Sequence, residues 1–73
     1  MIEVFTMRGC GPCAELKMKM LNIPHINIDI DENKDLAHAR GVNAVPTIFV
    51  TENGTETKIL GIPGSEFFEK YSE

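Results

Sequence analysis

The sequence predicts an α/β domain, a four-stranded mixed sheet flanked by three helices in the order β-α-β-α-β-β-α. Three observations predict it. Short β-branched and aromatic runs at residues 2–6, 25–30 and 45–50 have strand character. Stretches rich in helix formers separate those runs. Asn53-Gly54, the strongest short hairpin signal, follows the third run. The chain has 73 residues, which is the length of one domain, residues 1–73.

IEVFT (2–6) is the first strand. PCAELKMKML (12–21) reads as a helix. Pro12 suits its first turn, where the missing N–H would have been unpaired anyway, and Ala, Glu, Leu, Lys and Met are strong helix formers. Cys13, Leu16 and Met20 share one face, with Met18 and Leu21 beside it, while Lys17 and Lys19 turn to water. Asn22-Ile23-Pro24 ends this helix. HINIDI (25–30) alternates, so Ile26, Ile28 and Ile30 lie on one side of a strand. Asp31 is expected to cap the second helix and Gly41 to follow its end. Leu36 with Ala37 or Ala39 gives only a narrow apolar stripe, so that helix is short. VPTIFV (45–50) is the most apolar run, a strand that opens after Pro46. KIL (58–60) returns from the hairpin. Ser65 is expected to cap a last helix, EFFEKYS (66–72), docked by Phe67, Phe68 and Tyr71. Both β-α-β steps imply parallel pairing with helices over the sheet, and the hairpin adds an antiparallel edge.

The net charge is −4 with no basic run, which argues against nucleic-acid binding. No apolar run reaches transmembrane length, so no membrane partner is expected. The sequence starts at Met1 without a basic segment followed by an apolar one, and a cytoplasmic location is the expectation. In that reducing compartment, disulfides are transient and catalytic.

GCGPC (9–13) holds both cysteines of the chain. A Cys10–Cys13 bond is a poor staple, because it closes a very small loop and stabilisation grows with loop length. A structural zinc wants four ligands. The chain offers only His25 and His38 in addition, neither with the spacing of a second pair. A zinc bridging two chains through two C-x-x-C pairs is the remaining metal alternative. Redox exchange fits the spacing best. Cys10 falls at the N-cap and Cys13 inside the first turn, where unpaired N–H groups and the positive end of the helix dipole favour thiolate. Cys10, the more exposed, is the nucleophile on a substrate disulfide. Cys13 resolves the mixed disulfide, and Gly11-Pro12 keeps the active-site turn compact. Arg8 either adds positive potential near the thiolate or is a solvated surface arginine. The redox couple is then the Cys10–Cys13 disulfide itself, with no bound cofactor. A chain this short has no room for a flavin or nicotinamide, so electrons come from a reductase or a low-molecular-weight thiol. The expected partners are disulfide-containing proteins, met by a monomer.

CGPC (10–13) resembles the active-site motif of thioredoxins. IDIDENKDLAHARGVNAVPTIFV (28–50) is similar to the thioredoxin segment that runs from a strand through a short helix to the substrate-binding proline. With the C-terminal hairpin and helix, the likeness covers nearly the whole chain. The resemblance implies a minimal thioredoxin fold and a protein disulfide reductase served by a thioredoxin reductase-like donor. It also implies a cis Val45–Pro46 bond beside the cysteines. Val45 and Pro46 would form the substrate-docking edge, with Gly61 letting the loops crowd close to a partner backbone. The chain departs from the family in three ways. It holds no strand and helix ahead of its first strand, and Gly9 stands where the family has tryptophan. Val4 falls at the buried aspartate that relays a proton for the second cysteine, which leaves Glu3, Lys17 or water as replacements. The short frame, with VFTMRGCGPC near its start, is also similar to glutaredoxins and to the glutaredoxin-like electron donors of ribonucleotide reductase. A glutathione-dependent glutaredoxin is therefore the alternative, although Gly61-Ile62-Pro63-Gly64-Ser65-Glu66 splits the glycine pair that glutathione sites carry. The chain looks like a mini-thioredoxin, which joins this short frame to a thioredoxin-like motif.

Overall fold

The computed structural model describes residues 1–72. Its elements are β1 (Ile2–Thr6), α1 (Gly11–Lys19), β2 (Ile26–Asp29), α2 (Lys34–Ala39), β3 (Thr47–Glu52), β4 (Thr55–Leu60) and α3 (Ser65–Tyr71). The sheet order is β2-β1-β3-β4. β1 pairs parallel with β2 and antiparallel with β3, and β3 pairs antiparallel with β4. Only the first β-α-β step is therefore parallel, which corrects the expectation for the second. α2, six residues and about 9 Å long at the helical rise, does not run back along the sheet as a crossover helix would. β3 accordingly starts at the end where β1 and β2 finish, with Thr47 opposite Phe5, and runs back.

Strand alternation divides the core between the two faces of the sheet. One cluster joins Ile2 and Val4 of β1, Ile48 and Val50 of β3, Leu16 of α1, Met20 and Ile23 just beyond it, and Phe67 of α3. Phe5, Ile28, Ala37 and Phe49 form the other. Phe5 and Phe49 meet edge to face, with centroids 5.6 Å apart. α2 covers this second face thinly. Ala37 is its one buried residue, while Leu36 and Ala39 of the expected stripe are exposed. Arg40 makes up part of the cover. Its guanidinium lies 4.2 Å from the Phe49 ring centre and pairs with Glu3 at 3.2 Å and Glu56 at 2.7 Å. Ile28 and Ile30 pack on this face, as the alternation requires, but Ile26 at the sheet edge stays 49% exposed.

Several ends differ from the sequence reading. α1 stops at Lys19, and Met18 and Leu21 are exposed rather than flanking the buried stripe. The α2 cap is Asn33, not Asp31; the loop is tied by Asp29, whose side chain accepts the Asp31 N–H at 2.8 Å. Gly41 does follow the helix end. With φ at 69°, it lets its own N–H reach His38 O and the Val42 N–H reach Ala37 O, the paired bonds of a Schellman ending. Asn53 and Gly54 both have positive φ, as a tight hairpin turn demands, and β4 extends three residues further back than expected, to Thr55. Gly64 caps α3, with Ser65 already inside it and making no capping bond.

Candidate active site

The end of the sheet where β1 runs into α1 gathers most of the residues singled out by sequence. Gly9 turns the chain with φ at 80°, a conformation that a side chain disfavours. The turn closes with the Cys10 N–H donating to Met7 O at 3.3 Å. Cys10 is the N-cap of α1 in extended geometry, and its Sγ accepts the N–H of Cys13 at 3.2 Å. Its carbonyl accepts the Ala14 N–H. Gly11 and Pro12 occupy the opening turn, where proline loses no hydrogen bond. Cys10 and Cys13 are joined as a disulfide, with Cα atoms 5.2 Å apart. Cys10 is half-buried and Cys13 is 5% exposed, so the first sulfur is the more accessible of the two.

The loop before β3 lies against this turn. The Val45–Pro46 peptide is cis. Val45 O is 3.9 Å from Cys10 Sγ, and among the described residues no other backbone group takes the Val45 N–H or C=O. Two residues hold the loop in place. Thr47, fully buried, donates its hydroxyl to Ala44 O at 2.6 Å. Gly61, with φ at 75°, donates its N–H to Pro46 O at 2.9 Å. A Cβ at Gly61 would meet nothing within 4 Å, so backbone conformation rather than crowding within the chain is what asks for glycine there. Thr47 escaped the sequence reading; the only signal was a hydroxyl directly after the proline in an otherwise apolar strand.

The remaining candidates separate. Arg8 is exposed, forms no ion pair among the described residues, and lines a groove beside the cysteines. Lys17 lines the same groove. Glu3 does not belong there. It points to the opposite face of the sheet, where Arg40 binds both its carboxylate oxygens, so it cannot serve Cys13. Val4 is buried on the α1 face. Among the described residues no group of three His, Cys, Asp or Glu side chains is placed to hold a metal. The His25 ring nitrogen Nδ1 is already engaged with Ile23 O at 2.6 Å.

The thioredoxin family model matches residues 1–70. The chain belongs to the thioredoxin family. Thioredoxins carry their redox couple in their own cysteine pair rather than in a bound cofactor. The chain is 36% identical over 70 residues to a thioredoxin H-type of Ricinus communis and, at the same identity and length, to thioredoxin H-type 2 of Nicotiana tabacum. Each alignment covers 85% of this chain and 59% of the relative, so the chain spans well under two thirds of their length. Among solved structures, a single-residue mutant of a thioredoxin from Halobacterium salinarum superposes with a TM-score of 0.76 at 29% identity, covering 99% of this chain and 74% of that one. A malarial protein shares the fold at a TM-score of 0.78 and 22% identity, with 96% of this chain and 93% of that chain covered.

Proposed function

We propose that this thioredoxin-family chain is a thiol–disulfide oxidoreductase that reduces protein disulfides. The carrying observation is the Cys10 sulfur at the N-cap of α1, accepting the Cys13 N–H and lying beside the cis Val45–Pro46 loop. That N–H and the helix dipole favour negative charge on Cys10. In the reduced form the Cys10 thiolate attacks one sulfur of a substrate disulfide, and the other substrate sulfur leaves with the electron pair and takes a proton from water. Cys13, deprotonated, then attacks Cys10 Sγ. The Cys10–Cys13 bond forms as the Cys10–substrate bond breaks, and the second substrate sulfur departs and is protonated. The dithiol loses two electrons and the substrate disulfide gains them. The unpaired backbone groups of Val45 can hydrogen-bond an extended substrate segment held over Cys10.

The electrons return from a thioredoxin reductase-like protein or a low-molecular-weight thiol, in a reducing cytoplasm where the couple turns over. No helix among the described residues is long and apolar enough to cross a membrane. Service as electron donor to ribonucleotide reductase is the narrower role that the short frame suggests. Trapping tests the assignment. Cys13→Ser is expected to accumulate mixed disulfides with an insulin-type substrate, and Cys10→Ser to accumulate none. Equal yields from the two variants would overturn the roles.

A further inference from the structure

Cys13 poses a problem for the exchange reaction. It must attack as a thiolate, yet it is 5% exposed, and burial in apolar surroundings raises a thiol's pKa. The sheet face beneath α1 offers no acid or base to help, because Val4 there is an apolar core residue and Glu3 is committed to Arg40 on the far side. Among the described residues no side chain hydrogen-bonds to the Cys13 sulfur.

One side of Cys13 does open. A groove of about 280 Å³ runs between α1 and the β2 edge, and both cysteines line it. Thr6 and Asn27 line it as well, the Thr6 hydroxyl donating to Asn27 Oδ1 at 3.1 Å. The charged groups lining it are Arg8, Lys17 and Asp29. Arg8 lies at the Cys10 end, in the turn before α1. Asp29, on the edge strand, already accepts the Asp31 N–H. Lys17 follows Cys13 by four residues, one turn along the same flank of the helix.

We propose that Lys17 is a positioning residue for the resolving step: its ammonium, on the same solvent-open groove that Cys13 lines, stabilises the Cys13 thiolate that attacks the mixed disulfide, while the groove passes the thiol proton to water. This role rests on the exchange reaction proposed above. One electrostatic arrangement then serves each sulfur. The helix N-terminus holds the first, and the Lys17 side chain holds the second. Asp29 opposes Lys17, so the two residues act on Cys13 with opposite sign.

The two steps separate in a rapid-mixing experiment in which reduced protein meets dithiodipyridine, an uncharged disulfide whose released thiopyridone is read by absorbance. The first release reports Cys10 and the second reports Cys13. Lys17→Met is expected to move the pH midpoint of the second release upward by about half a unit to one unit, with a smaller effect on the first. Lys17→Arg is expected to keep the wild-type midpoint, and Asp29→Asn to lower it. Lys17 is exposed, so its replacements leave the core intact. A second midpoint unmoved by Lys17→Met, both midpoints displaced equally, failure of arginine to restore the value, or an upward shift in Asp29→Asn would each overturn the role of Lys17 alone. Absence of any second release from the wild type would instead overturn the exchange mechanism itself.

Discussion

Gly9 illustrates how much of this site depends on single residues. Its φ of 80° shows what glycine contributes: the chain turns sharply enough for Cys10 to cap α1. A Cβ at Gly9 would meet nothing within 4 Å, so any cost of replacing it is conformational rather than steric. Gly9→Ala is expected to lower stability by about 1 kcal/mol. Gly11→Ala, at a position of ordinary φ with equal space around it, is expected to cost less or to stabilise. Chemical denaturation of the two variants in the same redox state makes the comparison, and equal penalties would remove the conformational account of Gly9. The demand at Gly9 was not legible in the sequence, where a glycine before a cysteine looks like one more loop residue. The cap at Cys10 was legible, because capping depends on a few adjacent residues and the proline that follows marks the helix start.

At the scale of elements, α2 and α3 are each tied down by a charged group that amphipathic patterning does not announce. Arg40 ends α2 and bridges Glu3 of β1 to Glu56 of β4 above the Phe49 ring. Sequence reading could place Arg40 near a helix end, but its two partners lie on other strands. For α3 the tie is Glu52 at the end of β3, which accepts the Tyr71 hydroxyl at 2.6 Å and lies 3.7 Å from Lys70. The Tyr71 hydrogen bond, followed by the Lys70 charge, holds the Glu52 carboxyl below its ordinary pKa. A carboxylate with a lowered folded-state pKa adds stability above its unfolded value and loses it as pH falls through the folded value. The acid-side loss of stability, over roughly pH 5 to 3, is therefore expected to be shallower in Glu52→Gln than in the wild type. Denaturation midpoints measured across that range check it, and parallel curves would show that Glu52 contributes nothing linked to protons.

The molecule as a whole is a slab, 31 × 30 × 17 Å, with unequal cover on its two faces. α1 and α3 seal one face over the larger cluster, while six-residue α2 and the Arg40 bridge cover the other. Stability should be distributed in the same way. Leu16→Ala, at 1% exposure beneath α1, is expected to cost about 3 kcal/mol, a large part of what a domain of this size holds. Ile26→Ala, at 49% exposure on the edge strand, is expected to cost under about 1 kcal/mol. Similar costs for the two would mean that the faces are more evenly loaded than their burial indicates.

The amino-acid order alone determined the elements that depend on near neighbours: the strand runs, the helix opened by Cys10 and Pro12, the Asn53-Gly54 turn and the Gly41 ending. It also located the thiols at a helix N-terminus, since that takes only four residues. Tertiary structure decided what those elements meet. It turned β3 antiparallel, so that the strand starts at the end where β1 finishes, and delivered Val45, 35 residues distant, with the adjoining Pro46 to the Cys10 sulfur. It also paired Glu3 with Arg40 on the far face and set β2 against α1 to form the groove that Cys13 and Lys17 line. Local propensity acts over a turn or a pleat, whereas the partner of a side chain across the sheet is set by how the layers pack.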